Sequence, residues 1–200
     1  MTGEVLIGTS RRSISLVTKR PRFKTETYMK NWKVMKEAGL NVVPSVRIID
    51  DNTVAMTNLT RDGSKIYDKA FLLALYQEHQ KANYQRLEKA NIKPDTIDLM
   101  YLDLVANRRD EITTELNRQM GLLDNVWYNF SRERDDTFSI RMHPNGMWDM
   151  LLIDIDTAYS ASIEEGTQNQ WIPNEFNYTM DKIVICLQDP TYREPPKSQF

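Results

Sequence analysis

Two tight turns between short β-prone runs constrain this chain more than any other feature of its sequence. Residues 50–52 read Asp-Asp-Asn between two β-branched runs, and residues 143–146 read His-Pro-Asn-Gly between two further apolar runs. Such short connections of Asp, Asn, Pro and Gly favour turns between antiparallel strands. The sequence therefore predicts at least two β-hairpins.

The first 60 residues predict the element order β-β-α-β-β. Runs 5–7 and 13–18 flank a Gly-Thr-Ser turn and predict a first hairpin. A helix signal follows, with an apolar stripe at three- and four-residue spacing and Gly39 as its stop. The hairpin around residues 50–52 completes the unit.

The middle of the chain has helical periodicity. Apolar residues predict one helix over about residues 68–90, ended by Pro94, and a second over about 96–122 with Gly121 as its stop. An apolar element of either type is predicted around residues 180–187. The expected fold class is α+β, with an antiparallel unit at residues 1–62 and a mainly helical unit at 63–200 that contains the hairpin 137–156.

Composition excludes several classes of protein. In 200 residues, 26 basic and 28 acidic side chains give a net charge of -2, so no global field favours nucleic acid or an anionic membrane. The single cysteine, Cys186, lies in an apolar run and is expected to be buried, and no apolar run approaches the length of a membrane-spanning helix. A cytoplasmic protein is expected.

His79 and His143 have no neighbouring Cys or His in sequence, so a zinc site is not predicted.

The strongest local candidate for chemistry is an apolar strand that ends in Asp154-Ile155-Asp156. Two carboxylates at a strand end can supply the hard oxygen ligands that Mg²⁺ prefers. The same pattern also occurs where aspartates simply cap a turn or pair with a base. A haloacid-dehalogenase-type phosphatase places such a motif near its N-terminus, which does not match this chain. A sugar-nucleotide transferase places it after a parallel α/β half, which the first half of this chain does not predict, so that interpretation stays only a distant alternative.

A third context matches better. The segment Ser15-Leu16-Val17-Thr18-Lys19, then Glu26, then residues 35–44 and the hairpin at 51–52 resemble the small lobe of protein-kinase-like and aminoglycoside-phosphotransferase-like proteins. Pro144-Asn145-Gly146 followed by the Asp154 strand resembles the hairpin that precedes their magnesium-binding Asp. The resemblance implies that Lys19 binds nucleotide phosphates and pairs with Glu26, and that Asp154, with Asp156 beside it, coordinates magnesium.

This chain differs from that family in the motifs that the family uses for catalysis. Gly3 and Gly8 do not form a Gly-rich phosphate loop, and residues 132–139 contain no catalytic His-Gly-Asp or His-Arg-Asp with a following Asn. Asp135 and Asp136 are the remaining candidates for a base, and Ser139 stands roughly where the Asn falls. The resemblance thus implies a pseudokinase-type domain that binds a nucleotide or a protein partner. The alternatives are an active small-molecule phosphotransferase that uses ATP and Mg²⁺ with Asp135, Asp136 or Asp156 as its base, and a structural or interaction protein without a nucleotide site.

Overall fold

The computed structural model describes most of the chain. The described residues are 5–6, 16–19, 21, 24–84, 93–130, 137–153, 155, 158–162, 166–189 and 192. They form five helices and nine strands. The helices are α1 (Thr25–Glu37), α2 (Lys69–Tyr84), α3 (Thr96–Asn107), α4 (Arg109–Asn125) and α5 (Ile172–Gln188). The strands are β1 (Val5–Leu6), β2 (Leu16–Lys19), β3 (Val46–Asp50), β4 (Thr53–Thr57), β5 (Lys65–Tyr67), β6 (Tyr128–Phe130), β7 (Phe138–Met142), β8 (Trp148–Leu152) and β9 (Ala158–Ser160).

The described strands form three antiparallel sheets. The N-terminal sheet has the order β1-β2-β4-β3, so the β-β-α-β-β order expected from the sequence is present. A second sheet has the order β5-β7-β8, and β6 pairs with β9 in a two-stranded ribbon. The mixed α+β class predicted from the sequence is therefore confirmed.

Helix α1 forms because one of its faces is buried at helical spacing. Thr25, Tyr28, Asn31 and Met35 are buried, while the intervening charged residues are exposed. The helix ends at Glu37, and Gly39 just beyond it has a φ of 86°, which suits glycine because it has no Cβ to clash. This end agrees with the sequence prediction.

The predicted helix at 96–122 is in fact two helices. The backbone leaves the helical region at Arg108, with φ -132° and ψ 27°, and α4 then continues past Gly121 to Asn125. Neither Gly nor Pro marks the break, which is why periodicity alone did not reveal it. The guanidinium of Arg108 donates to Glu111 at 2.8 and 2.6 Å and so stabilises the first turn of α4.

Three short strands were not predicted. β5 lies between the N-terminal unit and the predicted helix at about 68–90, and β6 and β9 lie on either side of the hairpin predicted at 137–156. Each has only three residues, too few for an alternating pattern to stand out. Their pairing depends on partners far away in the sequence.

The region 172–188, where a helix or a strand was expected, forms helix α5. Its buried residues recur every three or four positions, from Ile172 through Phe176 and Met180 to Ile183 and Leu187. Cys186 is fully buried, as predicted. Among the described residues, no helix is both long enough and apolar enough to cross a membrane.

Asn41 joins the N-terminal sheet unit to the second sheet. Its Nδ2 donates to the carbonyl of Met150 at 2.7 Å, and its own carbonyl accepts from the backbone N–H of Leu152 at 2.8 Å. The Oε1 of Gln119 accepts from the backbone N–H of Asn41 at 3.2 Å. These bonds fix the segment after α1 against β8 and α4, and they bring α1 close to the chain that follows β8.

Candidate functional site

Lys19 lies at the end of β2, where it pairs with Val54 of β4. Its side chain is half-buried, and its Nζ is 5.7 Å from the centroid of the Tyr28 ring on α1. Tyr28 is only 1% exposed. A lysine ammonium over an aromatic face is attracted by the ring quadrupole, more strongly where water is excluded. The predicted phosphate-binding lysine therefore lies against the buried face of α1.

Asn31 lies one helical turn after Tyr28 on the same buried face. Its Nδ2 donates to the carbonyl of Ala158 at 2.9 Å and to that of Ile155 at 3.4 Å. Asn31 is 3% exposed, so these carbonyls replace water as its partners. The buried face of α1 therefore contacts both Lys19 and the chain that directly follows β8.

Glu26 lies elsewhere on α1. Its side chain is exposed, two residues before Tyr28 and thus on roughly the opposite side of the helix. The described contacts bring Lys19 to Tyr28, whereas Glu26 faces solvent. The ion pair that the resemblance implies, and Glu26 as a nucleotide-binding residue, therefore stay predictions.

The predicted aspartates lie outside the described residues. Asp154 and Asp156 flank Ile155, which is described and 2% exposed. Asp135 and Asp136, the candidate bases, lie just before Thr137, whose carbonyl accepts from the N–H of Ile153 at 3.0 Å. The described residues around both pairs thus meet at the end of the β7–β8 hairpin, although the aspartates themselves are not described.

Ser139 carries an unsatisfied hydroxyl in this region. It is fully buried on β7 opposite Leu151 of β8, and its Oγ has no hydrogen-bond partner within the described part of the chain. A buried hydroxyl without a partner costs about 1–3 kcal/mol, so native proteins seldom keep one without a use. It stands at the position where the resemblance places a metal-binding Asn.

A polar network anchors the connection between β4 and β5. The Nδ1 of His143 lies 2.9 Å from Ser64 Oγ and 3.3 Å from Asp62 Oδ2, and its Nε2 lies 3.0 Å from Asp149 Oδ2. Arg141 donates to Asp149 through two nitrogens, at distances of 2.6 to 3.2 Å. His143, at the start of the predicted turn 143–146, therefore ties the segment before β5 to the β7–β8 hairpin.

The carboxylate of Asp62 is stabilised by this network. Hydrogen bonds from the Ser64 hydroxyl and backbone N–H, with His143 beside them, outweigh burial and lower its pKa from 3.8 to about 2. Hydrogen bonds donated to a carboxylate favour its ionised form. The ionised form of Asp62 thus stabilises this connection.

A second polar network holds β5 against the start of α3. Lys65 donates to both carboxylate oxygens of Asp98 at 2.9 Å, and the Tyr67 hydroxyl donates to Asp98 at 2.7 Å. Asp98 also accepts from the N–H of Asp95 in the capping box that starts α3. Burial raises the pKa of Asp95, but the hydrogen bonds from Lys65 and the Asp98 N–H outweigh it, so that pKa is lowered. This network therefore fixes β5 against the start of α3.

A cleft of about 610 Å³ lies elsewhere, between α4 and β8. Its walls carry four carboxylates, of which three are already paired with arginines. The pairs are Glu111 with Arg108, Glu115 with Arg118 and Asp149 with Arg141. The Arg108 hydrogen bond lowers the pKa of Glu111. Since the arginines neutralise most of its charge, this cleft does not define a cation site.

The resemblance predicts that Lys19 is a cation for nucleotide phosphate and that Asp154 and Asp156 are hard oxygen ligands for Mg²⁺. These residue types suit a nucleotide with its metal ion. Within the described ranges, no group of three or more His, Cys, Asp or Glu residues could hold a metal ion. The four candidate aspartates lie outside those ranges.

Sequence reasoning missed Asn31. The signal was present, since a polar residue three after Tyr28 and four before Met35 falls on the apolar stripe of α1. The hydrogen-bond partners of Asn31 could not be predicted from the sequence, because the carbonyls of residues 155 and 158 lie 124 and 127 positions later in the chain.

Comparisons with known proteins leave the family open. No protein-family model, no curated protein and no solved structure matches this chain.

Proposed function

We propose that this chain is a divergent kinase-like domain of the pseudokinase type that binds a nucleotide between the end of β2 and the segment after β8. The observation that supports this most is the shared face of α1. Tyr28 contacts Lys19, and Asn31, one turn later, binds the carbonyls of Ile155 and Ala158. One helix face thus contacts both a strand-end lysine and two described residues of the segment after β8.

A lysine and strand-end carboxylates near each other form the minimum set for a nucleotide phosphate and its Mg²⁺. Lys19 would hold phosphate oxygens, and Asp154 with Asp156 would hold the metal ion, which when bound neutralises phosphate charge. Tyr28 would hold the lysine in place through its ring, and Asn31 would position the aspartate segment through its backbone. Ser139 offers a buried hydroxyl at the end of the same hairpin.

Weak or absent catalysis is part of the proposal. Phosphoryl transfer depends on positioning and electrostatic stabilisation, and residues 132–139 lack the His-Gly-Asp or His-Arg-Asp motif with its following Asn that supplies both. A cytoplasmic location also belongs to the proposal, because ATP and Mg²⁺ are abundant there. The alternative ligand of a pseudokinase-type domain is a protein partner.

Thermal unfolding with and without MgATP tests the proposal. Ligand that binds only the folded state stabilises it by about 2.7 kcal/mol at a hundredfold excess over Kd, and we expect a clear rise in Tm. Lys19→Met and Asp154→Asn should abolish the rise. Lys30→Met, at an exposed position of α1, is the matched control and should keep it.

Each other result has a definite meaning. No rise in Tm for the wild-type protein contradicts nucleotide binding and favours a structural or protein-binding role. A rise together with ATP turnover that Asp154→Asn abolishes favours an active phosphotransferase, with Asp135 or Asp136 as the base to test next. A rise that survives Lys19→Met places the nucleotide elsewhere.

A further inference from the structure

Strand β3 is an edge of the N-terminal sheet. The order β1-β2-β4-β3 leaves it with β4 as its neighbour on one side, and within the described residues no strand pairs with its other side. Only Val46 of this strand is buried, and the four residues after it are exposed. An edge strand presents unpaired backbone N–H and C=O groups, which can pair with another strand.

Two large apolar side chains are exposed in the middle of this edge. Ile48 is 46% exposed and Ile49 is 51% exposed. The register with β4 shifts between Ile48 and Asp50, so Ile49 has no partner residue on β4. Adjacent exposed isoleucines on an edge strand cost free energy in water, which an interface would recover.

The charges that flank the isoleucines identify the partner. Arg47 precedes them and Asp50 and Asp51 follow them, and all three are exposed. In an antiparallel pair of two β3 strands about a two-fold axis at the isoleucines, Arg47 of each copy lies beside the acidic end of the other. Opposite charges across such a pair stabilise it, and like charges destabilise it. The strand is thus complementary to a second copy of itself in the antiparallel direction only.

From this self-complementarity we infer that two copies of the chain associate through antiparallel pairing of their β3 strands, which joins their N-terminal sheets. A two-fold interface uses the same patch on both subunits, and a self-complementary strand meets that requirement. The backbone edge supplies hydrogen bonds, Ile48 and Ile49 supply apolar contact, and Arg47 with Asp50 fixes the direction.

Sedimentation velocity from micromolar to near-millimolar protein concentration tests this inference. We expect a reversible dimer whose dissociation constant rises with salt, since the charge pairs are at the surface. Arg47→Asp and Asp50→Arg should each raise that constant by about tenfold or more, because every cross-strand pair becomes repulsive. Arg61→Asp, at another exposed arginine, should leave it unchanged.

Mixing the two single variants gives the sharpest result. The acidic strand of the Arg47→Asp chain complements the basic strand of the Asp50→Arg chain, so the mixture should form heterodimers although each variant alone is monomeric. Circular dichroism of each variant shows whether it is folded. A monomeric wild-type protein at all concentrations, or a mixture that stays monomeric while the wild type dimerises, overturns the inference.

Discussion

The side-chain amide of Asn31 donates a 2.9 Å hydrogen bond to the carbonyl of Ala158, a residue 127 positions later. A second bond, 3.4 Å long, reaches the carbonyl of Ile155. Through these bonds the helix that contacts Lys19 also holds the segment after β8. Any nucleotide site formed by Lys19 and Asp154 depends on this connection.

Asn31→Asp should therefore weaken both stability and the proposed ligand binding. The substitution replaces a donor by a buried acceptor that faces two carbonyl oxygens, and we expect a loss of about 1–3 kcal/mol in the free energy of unfolding. Urea denaturation measures it. Lys30→Ala, on the exposed face of the same helix, should change stability by less than about 0.5 kcal/mol. Equal losses for both variants would contradict a specific role for Asn31.

Ser139→Ala should have the opposite effect on stability. Removal of a fully buried hydroxyl that has no partner in the described residues should raise the free energy of unfolding by about 1 kcal/mol. If the hydroxyl serves the proposed ligand, the MgATP-induced rise in Tm should shrink in the same variant. Thermal scans with and without MgATP separate the two effects. A loss of stability without ligand would show that Ser139 is satisfied in the folded protein.

Asp62 should make the free energy of unfolding depend on pH in the acid range. Its pKa is about 2 when folded and 3.8 ordinarily, so the unfolded chain binds the proton first as pH falls. The stability from ionised Asp62 is thus present above its ordinary pKa and is lost as pH falls through that value towards the folded one. The advantage of the wild type over Asp62→Asn should shrink over that range.

The size of that advantage is limited by solvent, because the Asp62 side chain is 57% exposed. We expect it to stay well below the roughly 1.4 kcal/mol per pKa unit of a fully buried group. Urea denaturation at a series of pH values measures it, and Asp124→Asn, at an exposed aspartate of α4, provides the comparison. A pH-independent difference would rule out the ionised carboxylate as its cause.

Two glycines should respond oppositely to alanine. Gly146 has φ 81° in the hairpin turn, where an L side chain is strained, so Gly146→Ala should destabilise by about 1 kcal/mol or more. Gly121 lies inside α4, where an added Cβ would meet no heavy atom of the described residues within 4 Å, so Gly121→Ala should stabilise by about 0.5–1 kcal/mol. Urea denaturation of both variants measures these changes. Loss of stability in Gly121→Ala would indicate that this helix face is covered.

Much of the fold was accessible from local sequence. The turns at residues 50–52 and 143–146, the stripe of α1 and its end just before Gly39 were predicted because each depends on residues close together in the chain. The break at Arg108 was not, since no helix-breaking residue marks it. The candidate site was predicted only as a set of residues, because neither the contact of Lys19 with Tyr28 nor the bonds of Asn31 follow from spacing.

The sequence by itself determined the α+β class, the hairpins and the residue types available for chemistry, because turn propensity and periodicity act over a few residues. Only the tertiary structure decided that β5 joins β7, that β6 joins β9, that Asn31 holds the carbonyls of residues 155 and 158, and that Glu26 faces solvent. These relationships connect segments far apart in the chain. Their free energy comes from packing and buried hydrogen bonds that form only when the whole chain folds, so no local pattern encodes them.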